Sequence, residues 1–279
     1  MYPLLPLWGW GLIALSLLFG MIPQNFSCFT DYSLTMGYLG SKAQTAGKFA
    51  PILVEAMEGA TRFVEPFVGN FCVLPAMRKA GYNPSGLDFC ADAHQGVTTM
   101  WSAIQDGWEG PTSISEAEYK ELRATCDWTE PLYAFAAYGC SFGAKEWGGY
   151  ARDSRDYNYA AGHARAIERK RPYLSKGDVE FSFQDYQNTE VSHGDIVYCD
   201  PPYQGVTGYS KTVGSFDSDV FADWVDDIAQ TATVFVSEFT QLRPHWEEVW
   251  SRPRALVLRG KIKSDAPVKV ERLFRIISR

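Results

Sequence analysis

The sequence has few residues of the two types that most often form metal sites and covalent crosslinks. Its 279 residues include four histidines and six cysteines, and no two cysteines form a Cys-x-x-Cys pair. This pattern argues against a zinc site or a disulfide framework, and it favours buried, reduced thiols in a cytosolic protein. We therefore expect no bound metal. The cysteines are Cys28, Cys72, Cys90, Cys126, Cys140 and Cys199.

Positive charge is also in short supply over the chain as a whole. The formal net charge is -7, which taken alone argues against a polyanion as partner, although binding faces are local. The hydrophobic content of 46% is ordinary for a globular protein, and the chain is long enough to bury a sizeable core.

Charge is missing altogether from the first 30 residues. This apolar run is close to the length of a membrane span, about 20 residues. It lacks the basic start and the clear cleavage site of a signal peptide. A membrane anchor stays open, but we favour upstream read-through, with the natural protein beginning at Met36. Residues 1–35 are therefore treated as an extension, and the expected location is the cytoplasm.

From Met36 the hydrophobic spacing alternates between helix and strand, which favours an α/β fold with a parallel sheet covered by helices. Residues 109–176 interrupt this alternation with helix signals and no clear buried strand. We therefore expect a sheet domain formed by 36–108 and 177–279, with 109–176 inserted into it. The predicted strands are 60–69, 84–92, 178–185, 195–200 and 231–239, followed by an antiparallel edge of 254–260 with 270–278; the predicted helices are 41–57, 71–81, 93–108 and 217–230.

Three polar groups follow predicted strands. They are the segment EPFVGN after the first strand, Asp92 after the second, and the segment DPPY, residues 200–203, after the fourth. Ligands of open α/β sheets bind outside the carboxyl ends of the strands, so the three groups are expected to share a site.

The segment DPPY suits a planar ligand that carries an amino group. Two prolines fix the backbone and remove two amide donors, which leaves carbonyl acceptors beside the Asp200 carboxylate. Tyr203 supplies an aromatic face for stacking. Positioning an amine in this way prepares it to attack a methyl donor. A proline turn whose aspartate only caps a helix is the alternative, and the neighbouring strand ends argue against it.

These residues resemble those of a known family. The segment YLGSK near the start, EPFVG and DPPY, with a long insert before the last, are similar to the Dam-type adenine-specific DNA methyltransferases, particularly phage-borne ones. The resemblance covers residues 37 to 240. It implies a Rossmann-like methyltransferase sheet, S-adenosyl-L-methionine as methyl donor, a target-recognition domain in the insert, and an adenine flipped out of double-stranded DNA.

The resemblance also implies roles for single residues. The YLGSK and EPFVG segments would contact the cofactor, Asp92 would bind its ribose hydroxyls, and Asp185 would lie near its adenine. We favour Asp92 over Asp88 for the ribose. The implied catalytic residues are Asp200, Pro201, Pro202 and Tyr203, and the implied cofactor-binding residues are Tyr38, Lys42, Glu65, Pro66, Phe67, Gly69, Asp92, Asp185 and Asp200.

One position departs from the family pattern. Family loops often read Gly-x-Gly, and the second glycine is Phe71 here. Glycine allows a close backbone approach to a ligand. Phe71 is instead expected to begin the following helix and to face the core, which leaves the geometry of the loop open.

The insert contains a local excess of positive charge. Residues 145–176 hold eight basic and four acidic residues, interleaved with aromatic ones, which suits phosphate contacts and base stacking. A solvated basic helix face is the alternative. Residues 252–279 hold nine basic residues against two acidic ones, and they could equally flank DNA or form an ordinary charged edge. The predicted DNA-binding residues are Lys145, Arg152, Arg155, Arg165, Arg169, Lys170 and Arg171.

The leading hypothesis is a site-specific adenine DNA methyltransferase. An RNA or protein-amide methyltransferase is the first alternative, and Asp200 argues against it because such enzymes more often carry asparagine there. A non-catalytic nucleic-acid-binding module with a degenerate methyltransferase fold is the second.

Overall fold

A computed structural model describes residues 40–204, 212–254, 257–258, 261–262 and 269–278. The apolar extension 1–35 and the predicted cofactor contact Tyr38 lie outside these residues. None of the helices in the described ranges is long and apolar enough to cross a membrane.

Seven strands form one sheet in the order β3-β2-β1-β4-β5-β9-β6. The strands from β3 to β5 are parallel, and β9 runs antiparallel to both of its neighbours. The order reverses between β1 and β4, which is where ligands bind in doubly wound sheets. The strands are β1 (Phe63–Glu65), β2 (Asp88–Asp92), β3 (Val179–Phe183), β4 (Ile196–Cys199), β5 (Thr233–Glu238), β6 (Trp246–Arg254) and β9 (Lys269–Ile276), with a separate antiparallel pair of β7 (Val257–Leu258) and β8 (Lys261–Ile262).

The helices follow the predicted apolar spacing. In α3, the face predicted from the sequence is buried: Val97, Met100, Trp101 and Ile104 are each at most 3% exposed. The helices are α1 (Ala46–Ala56), α2 (Val73–Lys79), α3 (Gln95–Gln105), α4 (Glu116–Thr125), α5 (Pro131–Ala134), α6 (Tyr159–Glu168) and α7 (Ser218–Ile228).

Hydrophobic side chains cover both faces of the sheet. Along β4, Ile196 and Tyr198 pack in the cluster that contains α1 to α3, while Val197 and Cys199 pack in the cluster that contains α7. Successive strand side chains point to opposite faces, so the two clusters are the cores of the two sides. This is the α/β, Rossmann-like arrangement that the sequence predicted.

Residues 109–176 contribute α4 to α6 and, within the described residues, no strand of the seven-stranded sheet. Their apolar side chains, including Tyr119 and Phe135, share one buried cluster with Trp101 of α3. The boundaries of a separate recognition domain stay a prediction.

The predicted antiparallel edge was placed too late in the chain. The strand that pairs with β9 is β6, residues 246–254, rather than 254–260, and the register runs from Trp246 opposite Ile276 to Arg254 opposite Lys269. The segment of β6 alternates weakly and contains Pro253, which disfavours a strand in general. Proline is tolerated here because β6 is the outermost strand of the sheet.

Candidate active site

A cavity of about 700 Å³ lies at the carboxyl ends of β1, β2 and β4. The three polar groups predicted from strand ends all line it. They are residues 65–70 (all but Pro66), Asp92, and residues 200–203. The topology brings them together because parallel strands end at the same edge of a sheet. Pro66 is buried in the turn behind this wall.

Lys42 connects the N-terminal segment to the DPPY group. It lies in a short 3₁₀ turn, is 3% exposed, and donates from Nζ to Asp200 Oδ1 at 2.6 Å and to the Tyr203 hydroxyl at 2.5 Å. Its Nζ also lies 3.3 Å from Glu271 Oε1 on β9. Burial raises the pKa of Asp200, the Lys42 ammonium opposes this rise, and Glu271 adds to it.

The Tyr203 ring is held at both ends. Tyr203 and Phe239 pack edge to face with 4.5 Å between ring centroids, and the Tyr203 hydroxyl accepts from Lys42. The turn that follows is fixed by Glu238, which accepts from the backbone amides of Gln204 at 3.1 Å and Phe239 at 2.6 Å. Burial raises the pKa of Glu238 to about 7. Pro201 and Pro202 contribute no amide donors between these anchored groups.

The loop after β1 adopts an unusual backbone. Gly69 and Phe71 both have positive φ values, 42° and 44°. Phe71 is fully buried against Trp101 and Phe181, as predicted, but it does not begin the helix, because α2 starts at Val73. Phe71 therefore supplies the backbone conformation of the missing glycine while its ring fills the core.

Asp92 fixes this loop from the end of β2. Its two oxygens accept from the amides of Gly69 and His94, both at 2.9 Å. Burial raises the pKa of Asp92, and these two amide contacts lower it. A carboxylate has about four acceptor positions, so Asp92 retains capacity toward the cavity that it lines.

Asp88 serves a different purpose at the start of β2. It is fully buried and accepts from the Phe63 amide, from Arg78 and from the Tyr82 hydroxyl, at 2.9, 2.8 and 2.6 Å. It does not line the cavity. This placement accounts for Asp88 structurally and leaves Asp92 as the acid of β2 that lines the cavity.

Glu65 lies at the floor of the cavity. It is 2% exposed, and its Oε2 has no hydrogen-bond partner among the described residues. Burial is the main reason that its pKa is raised well above the ordinary value, and Cys72 and Asp200 raise it further. A buried carboxyl oxygen without a partner calls for a donor from a ligand.

Three aromatic rings form another wall of the cavity. Phe67 stacks on Tyr186 with 5.3 Å between centroids, and Phe216 meets both rings. Asp185 stands beside them, where its side chain accepts from the Gln187 amide at 2.9 Å. All four residues line the cavity.

The predicted DNA-binding residues divide into two groups. Lys145, Arg152, Arg155, Arg165 and Arg169 are exposed, although Arg152 pairs with Glu116 and Arg155 with Asp153. Arg171 instead donates to the carbonyls of Ile104 at 2.7 Å and Trp108 at 3.0 Å. Lys170 is directed at the loop after β1.

Sequence reasoning missed several residues of the site. Tyr186, Phe216, Glu238 and Glu271 all line the cavity or contact its lining. Glu271 offered no clear signal, because β9 also contains Lys269, Arg272 and Arg275, and only the structure shows that Glu271 is fully buried. Among the described residues, no group of three or more His, Cys, Asp or Glu side chains is placed to hold a metal ion.

The solved structures that match the chain include two methyltransferases. The rRNA methyltransferase aviRa from Streptomyces viridochromogenes is 13% identical, with a TM-score of 0.40, over 88% of this chain and 91% of that one. The candidate methyltransferase yhhF from Escherichia coli is 9% identical, with a TM-score of 0.36, over 83% of this chain and 81% of that one. No curated protein sequence matches the chain significantly.

Residues 132–228 match the family model of the D12 class N6 adenine-specific DNA methyltransferases. The matched segment contains the second half of the insert, the DPPY group and α7. The match supports methyltransferase function for the chain and confirms its resemblance to the Dam-type adenine-specific family.

Proposed function

We propose that the protein transfers a methyl group from S-adenosylmethionine to the exocyclic amino group of an adenine in double-stranded DNA. The observation that carries the proposal is the Asp200 carboxylate, which already accepts from a cationic nitrogen, Lys42 Nζ, at 2.6 Å beside the Tyr203 ring. A carboxylate that binds an N–H donor in this position suits the amino group of a base.

The residues around the cavity fit S-adenosylmethionine. The unpartnered oxygen of Glu65 suits the amino group of its methionine part, and the Asp92 carboxylate suits ribose hydroxyls. The rings of Phe67, Tyr186 and Phe216, with Asp185 beside them, suit an adenine. When bound, the cofactor supplies an electrophilic methyl group.

The residues of DPPY would orient the acceptor amine. The Asp200 carboxylate and the Pro201 carbonyl would accept its two hydrogens, and Tyr203 would stack on the ring. Holding the amine in this way keeps its lone pair free for attack and supplies part of the barrier reduction through positioning. No covalent enzyme intermediate is needed.

Lys42 has to move before a base can bind. Its Nζ lies 4.7 Å from the centre of the Tyr203 ring and occupies the acceptor oxygen of Asp200. Glu271, only 3.3 Å from the same nitrogen, can keep the ammonium paired when a base displaces it from Asp200. Removal of a base from the duplex costs a few kcal/mol, so the protein must also bind the DNA outside this pocket.

The exposed cations of the insert are the proposed source of that binding. Lys145, Arg165 and Arg169 are exposed, and phosphate contacts of this kind make DNA affinity depend on salt. The triple change Lys145→Ala, Arg165→Ala and Arg169→Ala should weaken DNA binding and flatten the plot of log affinity against log salt by about two to three units. An unchanged slope would remove the insert from the proposal.

The direct test is methyl transfer from labelled S-adenosylmethionine to unmethylated double-stranded DNA, followed by digestion to nucleosides. Label should appear in methylated adenosine and be lost in Asp200→Ala. Asp227→Ala, an exposed change on α7, is the matched control and should retain activity. Label in RNA or protein but not in DNA would identify a different acceptor, and no transfer to any acceptor would contradict the proposal.

A further inference from the structure

Lys170 belongs to the basic segment of the insert, but its ammonium is turned inward. Nζ donates to the Asn70 carbonyl and lies 3.2 Å from Asn70 Oδ1 and 3.6 Å from Cys72 Sγ. It also lies 5.2 Å from the centre of the Trp101 ring. Arg165 and Arg169, its neighbours in the chain, are exposed. The side chain therefore contacts the loop after β1 from behind.

This loop has a conformation that needs support. A non-glycine residue with positive φ, as at Phe71, costs about 1–2 kcal/mol, and Gly69 also has positive φ. Three hydrogen bonds fix the loop, two to the backbone carbonyls of Gly69 and Asn70 and one from the Asn70 side chain. Trp101 donates to the Gly69 carbonyl at 2.9 Å, Lys170 donates to the Asn70 carbonyl, and the Asn70 amide donates to Ser41 Oγ at 2.8 Å.

The Lys170 ammonium also affects the pKa of Glu65, which lines the cavity. Burial lowers the pKa of Lys170, and Cys72 and Glu65 raise it. In turn, Lys170 opposes the rise in the pKa of Glu65 that burial causes. Glu65 and Asn70 both line the cavity. Lys170 thus influences the position of one cavity residue and the charge of another without lining the cavity itself.

We propose that Lys170 is a positioning residue for S-adenosylmethionine, by which the insert holds the cofactor loop in its binding conformation. The inference rests on the proposed function only for the identity of the ligand. It gives Lys170 a different role from Arg165 and Arg169, which the proposed function assigns to DNA binding.

The test compares Lys170→Met, which keeps the apolar stem and removes the ammonium, with Lys120→Met, the same change at an exposed position on α4, as the matched control. Calorimetry with S-adenosylhomocysteine, in the absence of DNA, measures binding directly. Lys170→Met should raise the Kd about tenfold or more, and Lys120→Met should leave it within about twofold. In steady-state kinetics, Lys170→Met should raise KM for S-adenosylmethionine while kcat at saturation is retained.

Near-UV circular dichroism and the melting temperature verify that each variant is folded. If Lys170→Met does not fold, Lys170→Gln, which keeps a donor on a shorter stem, should bind with reduced affinity. Wild-type affinity in a folded variant at position 170, or an equal loss in Lys120→Met, would overturn the inference. The calorimetry contains no methyl acceptor, so its result would stand even if the protein failed to methylate DNA. A wild-type protein that binds no cofactor would refute both this inference and the proposed function.

Discussion

Lys42 donates a 2.6 Å hydrogen bond to Asp200, although 158 residues separate them in the chain. The contact joins the segment before α1 to the end of β4, and Glu271 of β9 completes it from a third part of the chain. Lys42 thus has two anionic neighbours in a buried position. The charges of Lys42 and Glu271 influence the pKa of Asp200, so the pH dependence of the reaction can test this arrangement.

We expect the acidic limb of the pH–rate profile to report Asp200. Transfer needs the carboxylate, so kcat/KM should fall as pH falls through the pKa of Asp200, which burial raises. Glu271 raises this pKa further, so Glu271→Gln should move the acidic limb to lower pH. Lys42 lowers it, so Lys42→Met should move the limb to higher pH and reduce the maximum rate as well.

The measurement is kcat/KM for DNA from about pH 5 to pH 9. Glu247→Gln, an exposed change on β6, is the control for the loss of one carboxylate. Shifts in the same direction for Glu271→Gln and Lys42→Met would show that the limb belongs to another group.

A second prediction separates the two acids of β2. Asp92→Asn should weaken cofactor binding by about tenfold, because one of its oxygens would become an amide donor facing ligand hydroxyls and loop amides. Asp88→Asn should instead lower the free energy of unfolding by about 2–4 kcal/mol, because it leaves Arg78 and Tyr82 without a buried anionic partner.

Calorimetry with S-adenosylhomocysteine measures the Kd of both variants, and urea unfolding measures their free energies of unfolding. The reverse pattern, with binding lost in a stable Asp88→Asn and stability lost in Asp92→Asn, would reverse the assignment.

The sequence was sufficient for the parts of the site that follow strands. Apolar runs identified β1, β2 and β4, and the rule that parallel strands end at one edge was enough to bring Glu65, Asp92 and Asp200 together. Helix α3 could be predicted with its buried face because its apolar residues recur at helical spacing. These are local patterns, which one stretch of chain contains in full.

The parts that escaped prediction depend on contacts between distant segments. Glu271 is an isolated acid in the sequence, and only the antiparallel position of β9 next to β5 places it by Lys42. Lys170 looked like its arginine neighbours, and only its place just after the end of α6 in the folded chain brings its ammonium to the loop after β1. Composition gives the charge of such a residue but not the direction in which its side chain points.

A third prediction concerns stability in acid. His163 is 3% exposed, both ring nitrogens lack partners among the described residues, and burial, with Lys170, lowers its pKa to about 3. The unfolded chain binds a proton near pH 6.5 and the folded chain does not. The free energy of unfolding should therefore decrease as pH falls from about 6.5 toward 3, by up to about 1.4 kcal/mol per unit.

His163→Leu should remove this contribution and flatten the decline between pH 7 and pH 5, since an apolar side chain fits against Phe135. Urea unfolding at several pH values measures it, with His193→Leu, an exposed change, as control. An equal decline in His163→Leu and in the wild type would mean that other groups cause the acid sensitivity.

The last prediction asks which property of Phe71 matters more, its backbone or its ring. Loss of a buried phenylalanine costs about 3–5 kcal/mol, and relief of a positive φ regains about 1–2 kcal/mol, so Phe71→Gly should be destabilised by about 1–4 kcal/mol. Phe71→Ala loses the ring and keeps the strained backbone, so it should be less stable than Phe71→Gly. At Phe63, in the regular strand β1, the order should reverse because glycine only adds freedom to the unfolded chain there. Urea unfolding of the four variants gives both comparisons. If alanine is the more stable replacement at both positions, the left-handed conformation of Phe71 is not what the loop requires.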